Sequence, residues 1–424
     1  MSSLAPLAST FPLKPVKFLA PLRGEKVDAV PSNGHFLGLE QFESWSGRLS
    51  GIDLQQPPEG GANAFREGDV LIGKLRPYLA KGWVADRAGF CTTESLVLSP
   101  LDADPRFVRY CLLTTEVIAA IDGATYGSKM PRADWSFIGG VHLPCPQKPE
   151  QERIANFLDG QTGRIDALIA EKNELVAALT EYQYSYSSRL MTRGIDEHAR
   201  QKTTSFPEIG DVPAHWDVKR LKFLGDIRSG VAKGKDLGGK ETVTLPYLRV
   251  ANVQNGHVDL TEVSEIEVSA SEAKRYLLRR YDVLMNEGGD NDKLGRGAVW
   301  QAQIEPCIHQ NHVFAVRLAD PALAEWVSRF TGTDAARAYF FLRSKQSTNL
   351  ASINQSVVRE LPVPMPPEAE RVAISAELKR MAQATADLVA HALAHIDRLR
   401  EYRSSLISAA VTGQLDISAF KEAA

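Results

Sequence analysis

Apolar residues along this chain follow two rhythms, and each rhythm occurs twice. Short apolar runs bounded by turn residues predict strands at Phe36-Leu37-Gly38-Leu39, Asp69-Val70-Leu71-Ile72 and Ser95-Leu96-Val97-Leu98. The second half predicts them at Pro246-Tyr247-Leu248-Arg249-Val250, Asp282-Val283-Leu284-Met285 and His312-Val313-Phe314-Ala315-Val316. A helix is expected after the last strand of each set, around 106–120 and 322–342. From about 150 to 193 the rhythm changes: Leu158, Ile165, Leu179 and Tyr186 fall seven or fourteen apart, with Leu168, Leu175 and Tyr182 on companion positions and Lys172 as the one charged interruption. Leu378, Leu399 and Leu406 against Met381, Leu388 and Tyr402 repeat the pattern, with Thr385, Ala392 and His395 weakening its middle. Pro149 and Pro367 stand where these helices begin, and Gly194 and Gly413 where they end. Two helices of about forty residues would each run roughly 60 Å. Amphipathic helices packed on their own globular domains are the competing reading, but the length and the duplicated spacing favour a coiled coil.

The duplication extends to the letters. Leu143-Pro144-Cys145-Pro146 followed by Glu150-Gln151-Glu152-Arg153-Ile154-Ala155 returns as Leu361-Pro362-Val363-Pro364 followed by Glu368-Ala369-Glu370-Arg371-Val372-Ala373, at an offset of 218. Lys17-Phe18-Leu19 returns at Lys222-Phe223-Leu224 (offset 205), Asp69-Val70-Leu71 at Asp282-Val283-Leu284 (213), and Glu181-Tyr182 at Glu401-Tyr402 (220). The rising offset means that the second copy carries about fifteen extra residues spread over its loops. The chain is therefore two copies of one unit, each a mixed segment followed by a helical one, joined by a polar Gly/Pro-punctuated linker between His198 and His215. Pro213-Ala214-His215-Trp216, which opens copy two, has no evident match in copy one, so the sequence leaves the first edge strand there unassigned.

A length of 424 residues suits two or three domains, and 44% hydrophobic with 24% charged residues is ordinary globular usage. With 49 Lys+Arg against 52 Asp+Glu the formal charge is -3, so a nucleic-acid partner would be held by local patches and not by a global positive field. Cys91, Cys111, Cys145 and Cys307 lie far apart with no C-x-x-C pair, which argues for free buried thiols and against a zinc knuckle or a disulfide framework. No apolar run reaches the roughly 18 residues needed to span a bilayer, and the N-terminus lacks the form of a signal peptide; a soluble, cytoplasmic protein is expected.

Catalytic signatures fail one by one. Gly234-Lys235-Asp236-Leu237-Gly238-Gly239-Lys240-Glu241 approaches a phosphate-binding loop, but Glu241 occupies the place of the magnesium-binding Ser or Thr, and no apolar strand leads in. His309 and His312 enter a strand without a third ligand, and Asp290-Asn291-Asp292 lacks the ladder and terminal Glu of a calcium loop. There is no G-x-S-x-G, no H-E-x-x-H and no Asn/Asp-Pro-Pro-Tyr/Phe tetrapeptide.

Basic and amide-rich loops stand instead at matching places. In copy one they are 73–81, with Lys74, Arg76, Tyr78 and Lys81, and 127–132, with Ser128, Lys129 and Arg132. In copy two they are 286–296, with Asn286, Asn291, Lys293 and Arg296, and 345–350, with Lys345, Gln346 and Asn349. Arg and Lys pair with guanine edges or phosphates, and Asn and Gln with adenine, so these are residue types that read bases. Solvated loops of mixed polarity are the competing explanation for any one of them; equivalent placement with different residues raises the functional one.

On these residues the chain resembles the specificity subunit of a Type I DNA restriction-modification system. The resemblance covers essentially all 424 residues, and rests on the paired L-P-x-P…E-x-E-R-[IV]-A junctions, on Glu181-Tyr182 and Glu401-Tyr402, on Ala410-Val411-Thr412-Gly413-Gln414-Leu415, and on Asn286-Glu287-Gly288-Gly289-Asp290 with Lys293-Leu294-Gly295-Arg296-Gly297-Ala298-Val299-Trp300. It implies an α+β fold of two target recognition domains separated by two long antiparallel coiled-coil helices, with a pseudo-twofold internal repeat. The expected divisions are a first recognition domain at 1–149, a central helical spacer at 150–197, a linker at 198–214, a second recognition domain at 215–366 and a C-terminal helical spacer at 367–424. The resemblance further implies that each recognition domain reads one half of a bipartite site in double-stranded DNA. The helices would set the spacing and dock two modification (methyltransferase) subunits, through positions that include Tyr182, Tyr186, Tyr402 and Leu406. Restriction (helicase-nuclease) subunits would complete the assembly. This chain is expected to be non-catalytic and to bind no cofactor or metal of its own, with S-adenosylmethionine, Mg2+ and ATP held by the partners. A stand-alone DNA-binding regulator with a coiled-coil scaffold is the alternative.

Overall fold

The computed structural model describes residues 5–31, 34–51, 60–127, 129–234, 237–239, 241–289, 293–346 and 351–419. The chain is α+β and divides into two compact units, Met1–Glu174 with Ala392–Ala424, and Leu175–His391. Both units use one plan. In chain order the elements they share are β1 (Leu13–Pro15), β2 (Val70–Gly73), β3 (Ser95–Leu98), α1 (Pro105–Leu112), α2 (Thr115–Gly123), β4 (His142–Pro144) and the long helix α3 (Lys148–Arg193). They return as β5 (Asp217–Arg220), β6 (Val283–Asn286), β7 (Val313–Leu318), α4 (Ala324–Thr331), α5 (Asp334–Arg343), β8 (Pro362–Met365) and the long helix α6 (Glu368–Val411).

In the first unit, β2 is the middle strand of an antiparallel sheet between Gly82–Val84 and β3, and β1 pairs antiparallel with β4, Leu13 opposite Pro144. Its core joins Val70, Ile72 and Leu98 of the sheet, Phe107 and Val108 of α1, Ile154, Leu158 and Ile165 of α3, and Leu406, Ile407, Ala410 and Val411 of α6. The two long helices run antiparallel here. Ile154 faces the same recess as Ala410, while farther along α3 the Asp166 carboxylate accepts from Arg403 Nε at 2.8 Å. In the second unit, β7 and β6 are the middle strands between Gly225–Ser229 and Gly297–Val299, and β5 pairs with β8, Asp217 opposite Met365. Leu190 and Met191 of α3 share that core with Ile374 and Leu378 of α6, and Tyr186 Oη donates to Glu377 Oε1 at 3.2 Å.

Three sequence expectations need correction. The edge strand left unassigned in copy one exists as β1, and Phe11 stands where Trp216 stands, at the offset of 205 already set by Lys17-Phe18-Leu19. Each ring packs on the glycine that ends a long helix. A Cβ on Gly194 (φ +76°) would lie 3.2 Å from the Trp216 ring, and one on Gly413 (φ +75°) 2.8 Å from the Phe11 ring, so these positions need both the left-handed backbone and the missing side chain. Second, the single helices expected after the last strands are each two helices. Thr114 and Thr333 are in extended conformation, and their hydroxyls donate to the carbonyls of Cys111 (2.9 Å) and Phe330 (2.7 Å), an alternative to helical pairing that ends one helix and starts the next.

Third, the coiled-coil seam is displaced by one residue on its companion side. On α3 it runs through Leu158, Thr162, Ile165 and Ile169 in the first unit and through Gln183, Tyr186 and Leu190 in the second, while Leu168, Leu175 and Tyr182 are exposed. Polar residues hid it. Thr162 is buried with its hydroxyl donating to Leu158 O at 2.7 Å and 3.2 Å from Tyr110 Oη, so a search for apolar letters alone settles on the flank. On α6 the seam keeps Leu378, Leu399 and Leu406 but leaves Leu388 and Tyr402 exposed.

A buried aspartate anchors the sheet in each unit. Asp69 accepts from Arg66 N and from Arg23 Nε and Nη2 at 2.7, 2.7 and 2.9 Å. Asp282 accepts from Arg279 N and Arg317 Nε, both at 2.8 Å. By offset Arg23 corresponds to Arg228, and Ser99, which accepts from Arg23, corresponds to Arg317. In copy two, therefore, the serine position holds a second arginine, and it is this one that pairs with the aspartate. Arg228 was left 3.8 Å from it, its pKa pushed down by burial and by Arg317. All four cysteines are free thiols; burial pushes Cys91 and Cys307 up to about 12, where they are unreactive. Among the described residues no helix is long and apolar enough to cross a membrane.

His309 and His312 serve separate ends: His309 is buried with Nδ1 donating to Val313 O at 2.7 Å, and His312 pairs with Glu287 at 2.8 Å. Burial lowers the His309 pKa to about 4. The unfolded chain, with its histidine near 6.5, then binds more protons than the folded one between those values, so stability is full above about pH 6.5 and falls as the pH drops towards 4. Urea unfolding is expected to show this residue contributing a loss of about 2 kcal/mol between pH 6.5 and 5. A His309→Gln variant, less stable at pH 7, should have a correspondingly flatter profile over the same range.

Candidate nucleic-acid interface

The loops singled out in each copy are far apart in sequence and meet at one end of the central sheet. In the first unit β2 ends at Gly73 opposite Ser95, the first residue of β3. The next residue, Lys74, donates its N–H to Glu94 O at 2.9 Å and accepts at its carbonyl from Ala133 N, also at 2.9 Å. In the second unit Glu287 N donates to His312 O at 2.9 Å, and Glu287 O accepts from Ile353 N at 2.8 Å. The three partners correspond one to one, Lys74 with Glu287, Glu94 with His312, and Ala133 with Ile353. One backbone junction is thus built twice, and it welds the loop after the first strand to the loop that precedes β4 or β8.

Side chains on the junction differ in every respect. In the first unit Arg76 N donates to Pro131 O at 2.8 Å, Leu75 and Tyr126 both bridge to Arg132, and Arg132 Nε donates to Glu94 Oε2 at 3.0 Å. Arg76, Tyr78, Tyr126, Lys129 and Met130 are exposed around it, while Lys74 and Arg132 are half-buried. Lys81 is turned inward, its ammonium donating to Leu39 O at 2.7 Å. The outcome is a cationic and aromatic surface, suited to phosphates and to acceptors at base edges.

In the second unit Gly288–Gly289, Ala351–Ser352 and Lys345–Gln346 form a small antiparallel sheet over the junction. Lys345 and Gln346 are exposed on its edge, Gln346 Nε2 donating to Ser344 Oγ at 2.7 Å. Lys293 is half-buried, and Arg296 Nε donates to Val253 O at 3.0 Å. Asn286 is wholly buried: Nδ2 donates to the carbonyls of Val253 (3.1 Å) and Val250 (3.4 Å), and its backbone closes the loop by accepting from Gly295 N at 3.0 Å. Its place in the fold is that of a loop anchor beneath the surface. Gly295 (φ +65°) lies against the buried Phe340 ring, where a Cβ would collide. Ser128, Asn291 and Asn349 lie outside the described residues, as do Lys235, Asp236 and Lys240 of the glycine-rich stretch.

Of the helix positions, Tyr182 and Tyr402 are exposed, Tyr182 stacking on half-buried Tyr186 with ring centres 5.8 Å apart. Leu406 is buried in the first unit's core. Sequence reasoning missed Glu94 and weighed His312 only as a metal ligand, although these are the polar residues just before β3 and β7 that fix the facing loops; their signal was the matched position ahead of a strong strand.

No family model matches the chain. Among curated proteins it is similar to the Type I restriction enzyme EcoKI specificity subunit of Escherichia coli (strain K12), 24% identical over 335 residues, covering 77% of this chain and 68% of that protein. It is also similar to the Type I restriction enzyme MjaVIII specificity subunit of Methanocaldococcus jannaschii, 30% identical over 170 residues, covering 40% of this chain and 35% of that one. Among solved structures, a chain from a study of the complex assembly and conformational transition of the type I R-M system superposes with a TM-score of 0.71 at 16% identity over 96% of this chain and 99% of its own. The HsdS subunit from Thermoanaerobacter tengcongensis does so with a TM-score of 0.52, also at 16% identity, over 96% and 98%.

The geometry separates anchors from surface residues. Asn286→Ala is expected to lower stability by about 1 to 3 kcal/mol, because two carbonyls lose their donor and a void replaces the amide. Lys345→Ala should stay within about 0.5 kcal/mol of the parent. Thermal unfolding of the two variants measures the contrast.

Proposed function

We propose that this chain, which belongs to the Type I specificity-subunit family, is the sequence-reading subunit of a Type I restriction-modification complex. The observation that carries the reading is the duplicated junction, one backbone arrangement bearing two different sets of side chains. On this reading 1–149 and 215–366 are target recognition domains, each taking one half of a bipartite, asymmetric site in double-stranded DNA. Arg76, Lys129 and Arg132 serve the first half-site, and Lys345 and Gln346 the second, by contacts to base edges and phosphates. Helical regions 150–197 and 367–424, with the linker 198–214 between the two copies, set the spacing of the half-sites. A formal charge of -3 leaves much of the phosphate contact to partner subunits.

Catalysis belongs to those partners. Two modification subunits dock on equivalent faces of α3 and α6, around Tyr182 and Tyr402, and restriction subunits join the same assembly. S-adenosylmethionine, Mg2+ and ATP are assigned to them, and no catalytic or metal-binding residue is assigned to this chain. Its compartment is the cytoplasm, where the chromosome is modified.

Two experiments test the reading. Replacing Lys129 and Arg132 should relax one half of the methylated target, and replacing Lys345, Gln346 and Asn349 the other, each lost bidentate contact removing about 1 to 3 kcal/mol of discrimination. Methylation sequencing in which either set relaxes both halves together would contradict two separate heads. Inserting four residues after Lys172 lengthens α3 by about 6 Å, nearly two base-pair rises. The active variant is expected to keep both half-sites and to gain one or two unspecified base pairs between them; an unchanged spacer would leave the helices as scaffold without a measuring role.

A further inference from the structure

Besides the junction that opens each long helix and the Glu-Tyr pair that each helix carries, a further short motif is exposed in both copies. Phe18 lies in the single helical turn Val16–Leu19 after β1, and Phe223 in the turn Leu221–Phe223 after β5. They are 57% and 72% exposed, although phenylalanine is an expensive side chain to leave in water. Over each ring sits the ammonium of the preceding lysine, Lys17 at 5.1 Å from the ring centre and Lys222 at 5.2 Å. The turn is held rigidly in both units. Val16 N donates to Val141 O at 2.8 Å and Leu221 N to Leu361 O at 2.8 Å, while Leu19 O accepts from Leu101 N (2.8 Å) and Leu224 O from Ala319 N (2.9 Å).

Those last bonds locate the motif. Leu101 follows the end of β3 that faces Val70, and Ala319 the end of β7 that faces Val283, whereas the reading junctions occupy the other ends, at Gly73–Ser95 and Asn286–Val313. In each unit the Lys-Phe wedge therefore sits across the central sheet from the loops assigned to DNA. Its surroundings differ between the copies: Leu101, 57% exposed, corresponds to Ala319, and only Lys222 is paired with an acid, Glu360. What stays the same is the wedge itself. Reading loops differ because the half-sites differ; a feature kept identical at two places, away from those loops, fits a partner that is identical at both.

We propose that Phe18 with Lys17, and Phe223 with Lys222, are twin docking wedges, each inserting its ring into an apolar pocket with a carboxylate rim on one modification subunit. This rests on the functional reading above, which supplies two copies of one partner. The ring provides the desolvated anchor, and the lysine restricts the pocket to one with acid at its edge. A contact with the DNA backbone is disfavoured by the position across the sheet; Glu360 is shared between Lys222 and Arg220, so the patch beside Phe223 keeps a net positive charge for an acidic rim.

The test uses the full chain with its cognate modification subunit, titrated and followed by native mass spectrometry and sedimentation. The parent should bind two copies. Phe18→Ser or Phe223→Ser should each weaken one of the two by roughly tenfold or more, and the double variant both, with thermal unfolding unchanged. Phe18→Leu with Phe223→Leu should recover most of the affinity. The paired charge reversals Lys17→Glu and Lys222→Glu, which leave the rings in place, should weaken both sites as well. A double serine variant that binds two copies with parental affinity overturns the proposal, as does one that assembles normally but loses DNA binding. If the parent itself binds no modification subunit, the functional reading fails and the wedges fail with it, an outcome distinct from the other two.

Discussion

Antiparallel return of the last helix is the constraint on which the first unit depends. Its core contains Ile154, Leu158 and Ile165 near the start of α3, and it is completed by Leu406, Ile407, Ala410 and Val411, which lie at the far end of the chain. Each of the larger side chains stabilises by about 1.5 to 3 kcal/mol when removed from water, so a fold lacking that face of α6 would expose a substantial apolar stripe. The second unit has the reciprocal arrangement, with the end of α3 and the start of α6 in one core. Neither long helix belongs to a single unit, and each unit closes with the start of one helix and the end of the other. Phe11 on Gly413 and Trp216 on Gly194 are the local expression of that rule, an aromatic ring seated on the glycine that lets each helix stop.

Given such closure, the far end of each central sheet is released from structural duty. The junction is made from backbone groups alone, Lys74 and Glu287 each donating once and accepting once, so its geometry places no demand on side-chain identity. Charge could then invert, with Lys74 answered by Glu287 and Glu94 by His312, without disturbing the loops' mutual placement. Where side chains do enter, they hold the loops from beneath, as Asn286 does through Val250 and Val253, or clamp one residue to its neighbour, as Glu94 does with Arg132. A recognition surface built this way can change its letters while keeping its frame.

How much of this was legible follows from where the signal resides. Strands β2, β3, β6 and β7 were readable because burial on both faces makes them continuous apolar runs. Both long helices could be bounded because Pro149, Pro367, Gly194 and Gly413 mark their ends. The seam was misread on one side because Thr162 and Gln183 satisfy a packing position with polar atoms, and periodicity sees only hydrophobicity. Phe11 went unmatched because its partner is tryptophan and its neighbours differ, although the offset of 205 pointed straight at it. The loops were identified singly but their union was not, since the hydrogen bonds that join Lys74 to Glu94 and Ala133 leave no trace in residue type. Asn286 shows the limit most sharply: an amide at the end of a strand reads as a base contact, and only burial reveals it as an anchor.

The aspartates at the start of β2 and β6 show how the copies have diverged under a fixed geometry. A carboxylate this buried requires a cation and backbone donors to remain charged. Asp69 obtains its cation from Arg23, which lies outside the strands, and Asp282 from Arg317 of β7. Because Arg317 occupies the position of Ser99, the exchange needed only that a polar neighbour of the pair become the donor. Arg228, the displaced counterpart of Arg23, remains half-buried within 3.8 Å of the carboxylate, and its Nε has no hydrogen-bond partner. The second unit thus sets two guanidinium groups around one buried acid, with the more exposed Asp226, 3.6 Å from Arg228 Nε, as the second counter-charge. Asp282 is the group both arginines share, whereas either arginine could be lost with the other still in reach, so the carboxylate, and not its partner, is the part of the cluster that the fold can least exchange.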